Sequence, residues 1–197
     1  MLYRTMPQTG DKISILGFGC MRFPLDAEGK IDEPRSAAML HSAIDRGVNY
    51  IDTAYPYHGG ESEPVVGRAL EGGYREKVFL ATKLPSWMVE TPSDMDRLLD
   101  EQLTKLRTDH IDYYLLHSLN ADRWGIMKRN DYGKFLERAL ADGRIRRAGF
   151  SFHDQLPLFK EIVDDWPWHF CQIQYNFLDT NYQAGREGLK YAAGKNI

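Results

Sequence analysis

Four residues with complementary chemistry follow short apolar stretches of the sequence. Asp52 ends the stretch NYID, and Tyr57 lies five positions later in a loop that contains two adjacent glycines. Lys83 ends KVFLATK, and His117 ends IDYYLLH. An acid, a phenol, an amine and an imidazole, each beside the end of an apolar run, form a set that could carry out proton transfer.

The chemistry that suits this set is carbonyl reduction. A tyrosine hydroxyl with an ordinary pKa of about 10 exchanges protons poorly at neutral pH. A neighbouring ammonium favours the phenolate, and a carboxylate paired with that ammonium keeps it charged and in place. Lys83 and Asp52 would thus make Tyr57 a usable general acid, while His117 would donate a hydrogen bond to the carbonyl oxygen. The hydride must come from a cofactor.

Each of these residues taken alone also has a structural explanation. Asp52 could cap a turn, Lys83 could be a solvated strand end, and His117 could be a hydrogen-bonded histidine under a loop. Nearby aromatic residues allow the same two interpretations, as walls of an apolar substrate pocket or as core packing: Tyr55, Trp87, Trp124 and Phe152. The convergence of four complementary groups favours the chemical interpretation.

Short β-type runs alternate along the chain with amphipathic helical patterns, after an N-terminal hairpin predicted for LYRTM and KISIL around a Gly-Asp turn. The predicted strands are GFGCMRF, NYID, KVFLATK, IDYYLLH, IRRAGFS and HFCQIQY. Helices are predicted for EPRSAAMLHSAIDRG, for ESEPVVGRALEGG with Ser62 as N-cap, from Thr91-Pro92 to Leu106, and for YGKFLERALADG, DQLPLFKEIVDDW and AGREGLKYAAG. The sequence therefore predicts six strand–helix pairs.

This alternation implies right-handed crossovers and a parallel sheet, either doubly wound or closed into a barrel. A closed barrel needs eight units and typically about 250 residues. Only six are present in the 197 residues, which read as one domain, 1–197, incomplete at its C-terminus. In a parallel barrel the active site forms at the C-terminal strand ends, where Ser151 and Gln172 also fall.

Composition restricts the class of partner and the compartment. A net charge of -3 and no cluster of basic residues argue against nucleic acid as a partner. No apolar segment approaches the length of a membrane span and no leader pattern opens the sequence, so we expect a cytoplasmic protein without a membrane partner. Two well-separated cysteines give neither a disulfide framework nor metal-ligand spacing.

The sequence offers two other kinds of site for comparison. A metal-dependent hydrolase is a weaker alternative, because His117 is the one histidine predicted at a strand end and no metal is expected. The stretch GFGCMR invites a dinucleotide-fingerprint interpretation. Arg22 stands where a third glycine would be and no helix follows directly, so a Rossmann site is rejected.

Several stretches together resemble the aldo-keto reductase family, in its bacterial branch. They are GFGCMR, GVNYIDTAYPYHGGESEPVVGRAL, KVFLATKLP, LRTDHIDYYLLH, GRIRRAGFSFH and CQIQYN, which follow the family's order across nearly the whole chain. The resemblance implies an α/β protein of the (β/α)8 TIM-barrel type, with an N-terminal hairpin closing its bottom. It also implies NAD(P)H-dependent reduction of an aldehyde or ketone, with NADPH expected and NADH possible.

The resemblance also implies roles for individual residues. Tyr57 matches the family's proton donor, Lys83 and Asp52 its tuning pair, and His117 its substrate-orienting residue. Two further sets match cofactor contacts: Ser151 and Gln172 at the nicotinamide carboxamide, and Cys20 and Met21 in the turn after the first strand, with Asp52 beside them.

Departures from the family pattern leave a second hypothesis open. Phe152 stands where much of the family has an asparagine that binds the carboxamide, and it cannot make that hydrogen bond. The seventh and eighth units, which supply an aromatic and a basic cofactor loop in the family, lie outside the six units. The alternative to an enzyme is therefore a truncated or regulatory barrel that binds nucleotide or a partner chain, with self-association through open sheet edges.

Overall fold

A computed structural model describes all 197 residues and contains two sheets flanked by helices. The strands are β1 Tyr3–Thr5, β2 Lys12–Ser14, β3 Phe18–Gly19, β4 Tyr50–Asp52, β5 Phe79–Leu84, β6 Ile111–Leu119, β7 Ile145–Phe152 and β8 Phe170–Ile173. The helices are α1 Glu33–Asp45, α2 Ser62–Ala69, α3 Pro92–Leu106, α4 Ala121–Arg129, α5 Tyr132–Ala141, α6 Leu156–Asp165 and α7 Gly185–Gly194. No helix combines the length and the apolar character that crossing a bilayer requires.

The main sheet consists of six parallel strands in chain order, β3 to β8. Because each strand lies beside its predecessor, helices return along one face only, as in a barrel and unlike a doubly wound sheet. The sheet curls into part of a barrel, so the predicted barrel type and the six units are confirmed. Strands β3 and β8 each pair on one side only and form its two edges.

The hairpin of β1 and β2 closes the end of the barrel at which the strands begin. Ile13 and Met6 pack against an inner apolar cluster of Ala81, Tyr113, Leu115 and Phe170. Asp11, which follows the hairpin turn, accepts a 2.7 Å hydrogen bond from the Tyr113 hydroxyl and pairs with Arg147 at 3.2 Å. These contacts fill the lower barrel interior and leave the opposite strand ends for polar groups.

The larger core lies between the outer face of the sheet and the helices. Leu40 and Ile44 of α1 lie one helical turn apart and are buried in this core, whereas Met39 is exposed. The predicted start of α3 at Thr91-Pro92 is confirmed by a capping box, in which Thr91 and Asp94 exchange side-chain and backbone hydrogen bonds.

Two predictions about helices were wrong. Ser62 is the first residue of α2 rather than its N-cap, and its hydroxyl donates instead to the Cys20 carbonyl at 3.0 Å. Between β6 and β7 the sequence predicted one helix, but the structure has two, α4 and α5. Hydrophobic periodicity does not reveal helix α4, because only Trp124 and Met127 of its nine residues are buried. The sequence signal for its start is the N-cap Asn120, whose side chain accepts a hydrogen bond from the Arg123 amide.

Close packing of α2 on α3 yields a prediction for stability. A Cβ added at Gly67 would lie 2.6 Å from the Lys105 carbonyl oxygen, which is backbone and cannot rotate away. Gly67→Ala should therefore lower the free energy of unfolding by about 1–3 kcal/mol, measured by urea denaturation. Gly125→Ala in α4 is the matched control: its Cβ would meet only the flexible end of Arg129 at 3.2 Å. A neutral or slightly stabilising effect is expected there, and equal effects of the two changes would contradict this account of the α2–α3 contact.

Candidate active site

Strand register places the predicted site residues on the inner face of the sheet. Asp52 pairs with Ala81, and Lys83, two residues further along β5, shares its face because side chains alternate along a strand. Lys83 pairs with Leu115, two residues before His117. The same face continues across β7 and β8, because Leu115 pairs with Gly149 and Ser151 pairs with Gln172 in the sheet. The predicted convergence at one end of the barrel therefore follows from parallel pairing alone.

Lys83 is the centre of the site. Its side chain is buried, with 1% of the residue exposed. Its ammonium donates to Asp52 Oδ1 at 2.6 Å, to the Thr53 carbonyl at 2.8 Å and to the Tyr57 hydroxyl at 3.3 Å. An ammonium has three donors, so these contacts use all of them. The Thr53 carbonyl was not anticipated from the sequence.

Tyr57 reaches Lys83 from the loop after β4. The loop turns sharply through a 3₁₀ segment, Tyr57–Gly60, in which His58, Gly59 and Gly60 all have positive φ angles of 53°, 66° and 100°. His58 is held there by its imidazole Nε2, which accepts a 2.9 Å hydrogen bond from the Phe23 amide. The glycines of the sequence thus serve the turn that returns the phenol to the strand ends.

His117 is a neutral imidazole beside the phenol. Its ring lies edge-on to the Tyr57 ring with centroids 6.1 Å apart. Burial, followed by the charges of Lys83 and Arg123, lowers the pKa of His117 to about 3. The buried Nδ1 has no hydrogen-bond partner. A neutral imidazole keeps one N–H, so His117 can donate to an oxygen without bringing a charge of its own.

Of the remaining predicted residues, Gln172 and Ser151 lie on β8 and β7, and Cys20 and Met21 lie directly after β3. Gln172 donates to Asp52 Oδ2 at 3.3 Å, which joins β8 to β4 across the interior. Ser151 is buried beside it in the ladder and accepts the Ser118 amide at 2.6 Å, leaving its O–H as a donor. Cys20 is buried, and burial raises the pKa of its thiol far above the usual range, so this side chain is unreactive. Met21 is exposed in the turn after β3.

Only one of the four candidate pocket aromatics lies beside the site. The Trp87 ring is 5.4 Å from that of His117. Trp124 and Phe152 are buried among the helices, where Phe152 packs on Phe159 with ring centroids 5.2 Å apart. The Tyr55 hydroxyl bonds to Glu101 of α3, away from the inner face. Packing is therefore the correct interpretation of these three aromatics.

A buried polar network, missed in the sequence, supports Lys83 from the outer face. The Gln102 amide donates to the Lys83 carbonyl at 3.0 Å and to Glu63 Oε1 at 2.6 Å. Thr82 also donates to Glu63 Oε1, and Tyr114 donates to Gln102. Burial raises the pKa of Glu63. The network connects α2 and α3 to the strand segment that carries the lysine.

A surface recess of about 920 Å³ lies at the other end of the sheet, where the strands begin. Several of its charged groups form ion pairs, such as Arg75 with Asp112 at 2.8 Å and Arg107 with Glu71. It shares no residue with the candidate site.

Comparison with known proteins agrees with this geometry. The aldo/keto reductase family profile matches residues 15–197. The chain belongs to the aldo/keto reductase family. Aldo-keto reductase YhdN of Bacillus subtilis is 30% identical, with alignment over 100% of this chain and 60% of YhdN. Methylglyoxal reductase YeaE of Escherichia coli is 38% identical over 78% of this chain and 50% of its own length.

Solved aldo-keto reductase structures share the fold. The holo form of AKR11C1 from Bacillus halodurans superposes with a TM-score of 0.82 at 26% identity, covering 100% of this chain and 64% of that one. An enzyme from Klebsiella pneumoniae, solved with NADP and acetate, gives 0.58 at 31% identity, with 72% and 47% coverage. The chain thus spans about half to two thirds of the length of these relatives.

The burial of His117 predicts a specific pH dependence of stability. The usual histidine pKa is 6.5, so below that pH the unfolded chain takes up a proton that the folded chain refuses until about pH 3. Stability therefore falls as pH decreases through this window. Replacing His117 with Gln should remove about 2 kcal/mol of the loss between pH 6.5 and 5. The free energy of unfolding of both proteins is measured by urea denaturation at several pH values. An equal fall for the two proteins between pH 6.5 and 5 would contradict the prediction.

Proposed function

We propose that this aldo-keto reductase chain reduces an aldehyde or ketone to the alcohol with a nicotinamide cofactor, and that Tyr57 donates the proton. The observation that carries the proposal is the buried Lys83 ammonium, which contacts both the Asp52 carboxylate and the Tyr57 hydroxyl. A structural lysine would have no need of a phenol as its third partner. A proton donor needs such a charge, because the ammonium stabilises the phenolate left behind.

Each residue then has a defined part in the reaction. Tyr57 gives its proton to the carbonyl oxygen as negative charge develops there, and Lys83 compensates the phenolate. Before the proton is transferred, Asp52 balances the lysine, so the buried ammonium is not left without a counter-ion. The neutral His117 donates its N–H to the same carbonyl oxygen and orients it. Burial of these groups strengthens each interaction relative to water.

A nicotinamide cofactor would supply the hydride when bound. Ser151 and Gln172 fit its carboxamide, because the two side chains are neighbours in the ladder and offer a hydroxyl and an amide on the inner face. Asp52, Cys20 and Met21 border the same end of the barrel. NADPH is proposed, with NADH as the alternative; the Klebsiella pneumoniae structure was solved with NADP, and YeaE is named for the reduction of methylglyoxal, a small carbonyl compound.

Replacement of Tyr57 by Phe tests the proton donor. Loss of a general acid should lower kcat/KM for aldehyde reduction by about 10²–10⁴ while the fold remains intact. Tyr55→Phe is the control, since that hydroxyl bonds to Glu101 at 3.0 Å outside the site. NADPH oxidation with a panel of aldehydes, together with circular dichroism, measures both effects. Turnover by Tyr57→Phe equal to that of the wild type would refute the assignment.

A second candidate function is binding of nucleotide or a partner chain without turnover. The observation that favours it is exposed apolar surface beside the unpaired edge of β8, where Phe177 is 87% and Leu178 84% exposed. Unpaired edges next to such surface favour association with another chain, including a second copy.

Two measurements on the 197-residue chain separate these functions. Saturable binding of NADPH in a fluorescence titration, with turnover of any carbonyl compound, supports the reductase. Binding without turnover, together with an oligomer in light scattering that Phe177→Ser dissociates, supports the second candidate. Folded monomer that binds no NADPH contradicts both for this chain.

A further inference from the structure

An arginine without a carboxylate partner lies at the entrance of the candidate site. Arg123 belongs to the first turn of α4, and its guanidinium carbon lies 4.8 Å from the centre of the Trp87 ring. Trp87 in turn lies 5.4 Å from His117 and is 39% exposed. One tryptophan therefore separates the guanidinium from the imidazole that would hold the substrate carbonyl.

Most donors of this guanidinium have no partner in the protein. Its Nη1 donates to the Ser118 carbonyl at 2.8 Å. No carboxylate lies within ion-pair distance of it, although the chain forms many ion pairs elsewhere. The carboxylate of Asp154 is bonded to the Ala121 and Gln155 amides instead. A guanidinium has five N–H donors, so a half-buried arginine with one bond retains a strong capacity for an anion.

The charge of Arg123 acts on the reacting groups. It is among the causes that hold the pKa of His117 low, after burial and Lys83. Two cations thus act on a neutral imidazole, and only Lys83 is paired with a carboxylate, that of Asp52. The site as a whole keeps a surplus positive charge at its entrance, on the side of Trp87.

A purely structural role accounts for part of this arrangement. The hydrogen bond to Ser118 ties α4 to the bulged end of β6, where Ser118 has a φ of 56°. That bond needs one N–H of the five, and stacking on Trp87 could be provided by an apolar side chain of similar length. Neither contact explains why the charge is left without a counter-ion beside the site.

We propose that Arg123 is a specificity-determining residue that binds a carboxylate of the substrate, so that the site takes aldehydes or ketones bearing an anionic group. The carbonyl end would lie at Tyr57 and His117, and Trp87 would contact the apolar part between the two ends. A guanidinium suits this task because its planar fork matches a carboxylate with two parallel hydrogen bonds. The inference deepens the proposed function and rests on it for the position of the carbonyl.

Paired substrates that carry either a carboxylate or a neutral amide on the same ring test the inference in turnover. 3- and 4-Formylbenzoate are compared with the corresponding formylbenzamides, which keep the ring and the aldehyde. In the wild type, kcat/KM should be at least about 10-fold higher for a carboxylate than for its amide. Arg123→Met, which keeps the side-chain stem on Trp87, should abolish this preference by raising KM for the carboxylates.

Two further variants separate charge from structure. Arg123→Lys should restore part of the preference, because it restores the charge without the fork. Arg129→Met in the same helix removes an exposed arginine that forms no ion pair, and should leave the preference unchanged. Equal kcat/KM for carboxylates and amides in the wild type, or a preference that persists in Arg123→Met, would overturn the inference.

A binding measurement keeps this test separate from that of the reductase activity. Calorimetric titration with 3- and 4-(hydroxymethyl)benzoate, the alcohols corresponding to these substrates, and with their amides requires no turnover. A lower Kd for a carboxylate in the wild type and in Arg129→Met, lost in Arg123→Met, supports the anion site even if no aldehyde is reduced. Identical Kd values for carboxylate and amide in the folded wild type reject it, whether or not Tyr57 proves to be the proton donor.

Discussion

A single buried positive charge imposes most of the order at this end of the barrel. Removing an ammonium from water costs several kcal/mol unless each of its protons finds an acceptor. Lys83 meets this condition through one carboxylate, one carbonyl and one phenol, supplied by β4 and the loop that follows it. The register of β4 on β5, the tight loop around His58 and the burial of the inner face all serve to keep those three acceptors in place.

The charge is supported from outside the barrel as well as inside. Gln102 and Glu63 belong to different helices, yet both are bonded into the strand segment that carries Lys83. Because these groups are fully buried, losing one would leave its partners without a hydrogen bond at a cost of about 1–3 kcal/mol each. Packing of α2 on α3 is so close at Gly67 that the two helices hold this network as one unit. Helix packing and the geometry of the candidate site are therefore not independent.

Much of the fold and the central site could be predicted from the sequence, for physical reasons. Parallel strands bring their C-terminal ends to one edge, so polar residues ending successive apolar runs must converge, as Asp52, Lys83 and His117 do. The environments of side chains that depend on loops and helices were harder to predict from the sequence. Helix α4 buries too few residues to show a period, and Phe152 and Trp124 have a chemistry equally suited to a pocket or a core. Whether Arg123 forms an ion pair depends on the positions of the acidic side chains around it in the folded protein. Sequence spacing does not show those positions.

The hydrogen bond between Gln172 and Asp52 has a geometric meaning beyond the two residues. Strands β4 and β8 are four positions apart, and in a flat sheet they would be separated by about 19 Å. A contact of 3.3 Å between their side chains exists only because the sheet has curled until the two side chains meet across its interior. The other oxygen of the same carboxylate accepts from Lys83. Asp52 therefore contacts both the buried charge of the site and the strand that the curvature of the sheet brings near. Any change that flattens the barrel would remove the Gln172 donor from the Asp52 carboxylate, which balances the buried charge of Lys83.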